Sequence, residues 1–302
     1  MKNIVLIALL LLPATALSVE VMQLRHVASI YDYTETNDPK SAVIKINQPE
    51  GVACSGKSLL LVSDTAHGRI QPYTLQDDGT IKVGPGAGIK VPYPMHVRQN
   101  SKGDIFVLDG KQHKILRMNA AGEFKGAFEA EGVPAPETFI PKNFAIDAND
   151  TMYILDVFAS RVLVVSPEGK FQRQIGFPTA DGFFSDIAVD PQRRLFLLNS
   201  VTAAVYAAGP DDTAFSPLMN GLKDYVTFPT TLVADKQYLY VVDQFGSGVV
   251  ILAKDGAFKG RKLIMGWKEG EIRYPSDICL NEQDVIFIAD RGNNRVQMYR
   301  KE

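Results

Sequence analysis

Six times along the chain, one residue opens a short alternating run and an Asp or Asn closes an apolar run fourteen or fifteen positions later. The opening residues are Pro49, Pro94, Pro141, Phe184, Pro229 and Pro275, at intervals of 45, 47, 43, 45 and 46. The closing residues are Asp64, Asp109, Asp156, Asn199, Asp243 and Asp290, after apolar runs such as IFVL, MYIL and IFIA. The two series keep step, so the period is a structural unit. Within each unit, aliphatic and aromatic runs bounded by Gly, Asp, Asn and Pro indicate strands joined by tight turns. A further turn recurs near Asp77-Asp78-Gly79, Ala121-Gly122, Glu168-Gly169, Asp212-Thr213 and Asp255-Gly256. Glycine there suits the positive φ of a hairpin turn, which makes the acidic pairs at these sites turn chemistry. A period of about 40–50 residues with four strands per copy predicts an all-β, six-bladed β-propeller.

Five copies supply four strands each, and the sixth, Tyr274 to Arg300, supplies three. A propeller with an unpaired edge invites association with another chain, so the ring is expected to close. The alternating stretch Val21 to Tyr31 is predicted to pair beside Arg295–Arg300 and complete blade six, with polar, irregular residues Asp32 to Lys40 leading over the surface to blade one. Residues 1–18 read as a signal peptide, with Lys2, the nine-residue apolar run Ile4–Leu12 and the small-residue ending Ala16-Leu17-Ser18. Residues 19–302 form the single propeller domain, expected to be periplasmic or secreted. No membrane span is expected after signal removal, because no second apolar run nears the roughly 18 residues that a helix needs. The net charge of −2 carries no electrostatic footprint for nucleic acid.

The six units resemble NHL repeats, in which an Asp closes the second strand and Asn-His-Arg-Ile-like residues open the third. Asp290-Arg-Gly-Asn293-Asn294-Arg295-Val296 is similar to that pattern, as are Asp109 to Ile115 and Asp64 to Ile70. Asp156 keeps its Arg161, whereas Ala204 and Gly248 stand where blades four and five would carry the basic residue. The resemblance implies a fold and leaves the activity open, since function resides in sites grafted onto folds. The Asp-to-Arg spacing of five recurs round the ring, so its expected role is local. The Asp accepts turn N–H groups, the Arg adds a charge-assisted bond, and partial exposure would keep the pair's worth small.

Four sets of residues are candidates for chemistry or contact. His67 and His113 occupy turn positions of the repeat, and His26 lies on the predicted closing strand. His96 sits two residues after its Pro, where the other blades carry Gly51, Asn143, Asp186, Thr231 and Asp277. If inner strands line a channel, His96, Asn143, Asp186 and Asp277 form a polar ring at its mouth, able to ligate a divalent cation or a polar ligand. Six-bladed lactonases, which the repeat also resembles in architecture, hold calcium in such a channel. Calcium is therefore the one cofactor considered, and no other is expected. The amidating lyase of the same architecture implies a histidine triad, of which only His96 is present. Trp267, the single Trp, is flanked by charges on the connection into blade six and is expected to be exposed for partner contact. Cys54 and Cys279 fall on inner strands of blades that meet at closure, where they are expected either as two buried free thiols or as a disulfide across the closure.

Two functional readings follow. The first is an exported, non-enzymatic binding propeller that engages another exported protein through the loop face that carries the ends of the inner strands. The second is a divalent-metal-dependent, lactonase-like hydrolase using His96, Asn143, Asp186 and Asp277 at the channel mouth.

Overall fold

The computed structural model describes residues 22–34, 43–84, 88–179 and 182–302; residues 1–18, read above as a signal peptide, lie outside them. Each repeat folds into one antiparallel sheet, and the six sheets are arranged as the blades of a propeller. Blade one runs Pro49–Ser55, Leu59–Asp64, Arg69–Leu75 and Ile81–Val83, with Ile89–Lys90 added beside the third strand. Blades two to five begin at Pro94, Pro141, Phe184 and Pro229, and each has four strands in sequence order. Blade six takes Asp277–Leu280, Val285–Asp290 and Arg295–Lys301 from the last repeat. Its outer strand is Leu24–Ile30, antiparallel to Arg295–Lys301, with Leu24 opposite Lys301, Ile30 opposite Val296 and a register irregularity between His26 and Ala28. His26 finds partners there: its Nε2 lies 3.0 Å from Ser29 Oγ, and its ring meets Tyr299 edge-on at 5.7 Å.

The lead into blade one departs from the expected irregular passage. Asp32–Thr34 pairs with Val43–Lys45 as a two-stranded ribbon, and residues 35–42 lie outside the described ones. Alternation explains the core. Each blade turns one set of apolar side chains to either neighbour, so hydrophobic clusters sit between blades. At closure, Ile30, Val52, Leu60 and Tyr73 pack with Phe287, Val296 and Met298.

The seam between blades six and one is reinforced on the inner strands. Ser276 Oγ donates to Pro49 O at 2.8 Å, and Val52 N donates to Asp277 Oδ2 at 3.1 Å. Cys54 and Cys279 are joined there as a disulfide spanning 225 positions of sequence, with Cα atoms 5.7 Å apart. Because strands alternate in direction, the starts of the inner strands and the turns between second and third strands share one face, and the hairpin turns occupy the other. The first is called the funnel face below.

Candidate functional site at the funnel face

The Asp that closes each second strand is a buried fastening. Asp243 accepts from Thr227, Phe228 and Gly246 N–H groups, and Asp290 accepts from Arg273 N at 2.7 Å. The Asp–Arg pair is more deeply placed than partial exposure would have it. Arg295 Nε meets Asp290 Oδ2 at 2.7 Å and Arg161 Nε meets Asp156 Oδ2 at 2.9 Å, with all four residues buried. Blade five solves its missing Arg differently. Arg261, from the outer strand, brings its guanidinium 2.7 Å from Asp243 Oδ2. Gly248 makes the room, since a Cβ there would come 2.6 Å from that guanidinium.

A register irregularity follows the opening residue in blades one to five. In blade three Pro141 faces Asp156 while Asn143 faces Leu155, which leaves Lys142 as an extra residue. Blades four and five repeat this at Ser185 and Thr230. A bulge of this kind takes one side chain out of the ladder and re-aims it. The residues after the six openers, Glu50, Met95, Lys142, Ser185, Thr230 and Ser276, all line one cavity of about 570 Å³ on the funnel face. His96, Phe183, Phe184, Ser200, Val201, Phe228 and Gln244 complete much of its wall.

One position further along lies the predicted polar ring, of which His96 lines this cavity beside Thr231. Asn143, Asp186, Thr231 and Asp277 are fully buried, and His96 is mostly so. The ring latches blade to blade. Asn143 Nδ2 donates to Asp186 Oδ1, and Leu232 N of blade five donates to Asp186 Oδ2 at 2.7 Å. Thr231 Oγ1 donates to Ser276 O of blade six at 2.9 Å, and Asp277 reaches Val52 N of blade one. Gly51 lets blades one and two close up, since a Cβ would fall 2.2 Å from Met95 O. The side-chain oxygens of Asn143, Asp186 and Asp277 are therefore occupied by N–H donors. Among the described residues, no group of three or more His, Cys, Asp or Glu is placed to hold a metal ion.

The two ring carboxylates differ in environment. Burial pushes Asp186 up to about 7, against the pull of His96, Arg98 and the Leu232 N–H. Burial also raises Asp277, but Arg98, His96 and the Val52 N–H outweigh it and hold that carboxyl below the usual range. Arg98 NH1 lies 3.4 Å from Asp277 Oδ2, and His96 Nδ1 lies 3.9 Å from it. Further along the inner strands, a second chamber of about 210 Å³ is lined by Arg98, Cys54, Cys279 and apolar inner-strand residues.

Round the mouth, blades three to six carry exposed apolar side chains on the turns of the funnel face: Phe158, Phe183, Val201, Phe245 and Tyr274. Phe228 and Phe245 stack at 4.9 Å, and Phe245 meets Tyr274 edge-on at 6.4 Å. Trp267 joins the series at 72% exposure, with Arg273 spanning its ring at 5.5 Å and that of Tyr274 at 5.4 Å. Its loop is fixed from beneath, where Arg295 NH2 donates to Lys268 O at 2.7 Å and Glu271 O at 2.8 Å.

The family model for the NHL repeat matches residues 273–299, which is blade six. No curated protein sequence matches the chain. Among solved structures, a gluconolactonase from Xanthomonas campestris is similar with a TM-score of 0.63 at 14% identity, covering 93% of this chain and 97% of its own. A virginiamycin B lyase from Staphylococcus aureus is similar at 0.60 and 15% identity, covering 92% and 99%. A calcium-binding regucalcin from Agrobacterium tumefaciens gives 0.61 at 10% identity, covering 91% and 93%. At these identities the likeness is one of fold. The chain thus carries an NHL repeat in blade six of a six-bladed β-propeller.

Proposed function

We propose that the protein is an exported binding propeller that engages another exported protein through its funnel face. The observation that carries this reading is the apolar rim. Phe158 and Phe183 are each 64% exposed, and with Val201, Phe245, Tyr274 and Trp267 they form one arc over blades three to six. Contiguous exposed apolar surface is costly in water and marks contact sites, and aromatic anchors flanked by Arg dominate binding energy at such sites. The Cys54–Cys279 disulfide and the apolar run at residues 4–12 support a periplasmic or secreted location. Among the described residues no helix is long and apolar enough to cross a membrane.

The test is capture from the exported fraction with wild-type protein and with a Phe158→Ser, Phe183→Ser, Phe245→Ser variant. One partner held by wild type is expected to be lost by the variant, and equal recovery by both would overturn the reading.

A second reading, acid–base chemistry on a small molecule in the funnel, is favoured by one observation: His96 lines the funnel cavity with its Nδ1 3.9 Å from Asp277 Oδ2. A gluconolactonase and a virginiamycin B lyase share the fold.

A further inference from the structure

Phe245, Trp267, Arg273 and Tyr274 sit together on the rim over blades five and six, and their chemistry is one-sided. Arg273 lies between the rings of Trp267 and Tyr274, at 5.5 and 5.4 Å from their centroids, and its guanidinium has no hydrogen bond or ion pair among the described residues. The Trp267 indole N–H, the Tyr274 hydroxyl and the Lys268 ammonium are likewise unengaged there, all on exposed side chains. Indole, guanidinium and ammonium groups donate and cannot accept. The nearby acceptors are turned elsewhere. Glu269 Oε1 takes the Tyr31 hydroxyl at 3.1 Å, towards the outer strand of blade six, and Glu271 Oε2 folds back on Lys268 N at 3.1 Å. The rings themselves are held in place. Tyr274 keeps a left-handed backbone, φ 46°, with its N–H on Ser247 Oγ at 3.1 Å, and Gly266 O, next to Trp267, accepts from Asn293 Nδ2 at 2.9 Å. Phe245 and Tyr274 meet at a right angle, so their faces bound a corner beside the stacked guanidinium.

A segment that complements this surface offers compact apolar rings and free acceptors, and brings few donors. A proline-rich chain does so, because each proline lacks an N–H and the polyproline II helix leaves every carbonyl without an internal partner. Aromatic-lined surfaces take such segments at a low ordering cost, since the helix exists before contact. An acidic residue within the segment would answer the uncovered charges of Arg273 and Lys268 with charge-assisted bonds. A cation, the other common guest of aromatic walls, is turned away because Arg273 already fills the space between the two rings. We infer that Phe245, Tyr274 and Trp267 recognise an extended, proline-rich, acid-bearing segment of the partner, with prolines against the rings and a carboxylate on Arg273. This inference rests on the funnel-face contact proposed above and supplies its chemistry.

Trp267 is the single tryptophan, so its emission reports on this site without a label. The purified protein is titrated with three synthetic peptides of equal length. One is proline-rich with interspersed glutamates, the second has lysines in place of the glutamates, and the third keeps the glutamates but has alanines in place of the prolines. The first is expected to shift the emission and to bind more tightly than either of the others, and added salt should weaken it. Arg273→Gln is expected to weaken it roughly tenfold, the worth of one hydrogen bond to a charged group. Tyr274→Ala should weaken it as well, whereas Lys57→Ala on the opposite face should leave the affinity unchanged. Equal affinity for the three peptides, tighter binding of the lysine or alanine version, or no change in emission with any of them would overturn the inference. So would an unchanged affinity in both the Arg273 and the Tyr274 variant. The two readings fail separately. A captured partner that is lost by the triple Phe→Ser variant but kept by Arg273→Gln with Tyr274→Ala would leave the funnel-face contact standing and overturn this inference. Binding of the acidic proline-rich peptide without capture of any partner would support this site and count against the protein contact.

Discussion

Arg295 illustrates how much one side chain carries here. It is 2% exposed, pairs with Asp290, reaches two carbonyls of the Trp267 loop and donates to Tyr31 Oη at 3.0 Å. Removing one partner of a buried pair leaves the other uncompensated, so Arg295→Met is expected to cost about 3–5 kcal/mol in chemical denaturation. A loss under about 1 kcal/mol would place the pair with exposed ones. Asp186 makes a prediction in pH. Its pKa is raised in the fold, so between about 4 and 7 the unfolded chain loses this proton first. Its contribution to stability is then full at acid pH and falls as pH rises towards 7. The stability difference between wild type and Asp186→Asn should therefore shrink over that interval; a difference that grows would contradict the raised value. Sequence made the Asp–Arg pairs visible by their spacing of five, but their depth was not legible. Burial depends on the Lys268–Glu271 loop and the Tyr31 that cover Arg295 from other parts of the ring. Arg261 was invisible for the same reason, since it replaces the missing Arg of blade five from another strand.

The strand plan was the most legible part of the molecule, because its signals are local: alternation, Gly turns and a steady period. The pairing of Leu24–Ile30 with Arg295–Lys301 follows from the same logic, a strand without a neighbour matched to an edge without one. The ribbon of Asp32–Thr34 with Val43–Lys45 was not legible, since three-residue strands carry no period. Nor was the bulge after the opening residue of blades one to five. Its trace lay in plain sight, because Glu50, Lys142, Ser185 and Thr230 put polar side chains where a buried strand would carry apolar ones. The ring one position along looked like a ligand set because its residues are polar. The structure spends their oxygens on N–H groups, some from the next blade, which no single repeat could reveal. The disulfide acts at this scale too. Cys54→Ala with Cys279→Ala should lower stability by roughly 2–5 kcal/mol, through an unfolded chain freed of a long loop. Equal denaturation midpoints for the double variant and the oxidised protein would remove the bond from the closure.

Across the whole ring the two faces differ in character. The hairpin face presents polar turn residues such as Lys57 and Gln283, both exposed. The funnel face gathers the aromatic arc from Phe158 to Trp267. That asymmetry is why the proposed protein contact is placed on the rim of the funnel face. The most direct measurement is site-specific photo-crosslinking in the exporting cell, with the crosslinker placed singly at Phe183, Phe245 and Trp267 and, on the opposite face, at Lys57 and Gln283. The rim positions are expected to yield adducts with one and the same protein, and the hairpin positions none. Adducts from Lys57 and Gln283 alone, or none from any rim position, would contradict the assignment.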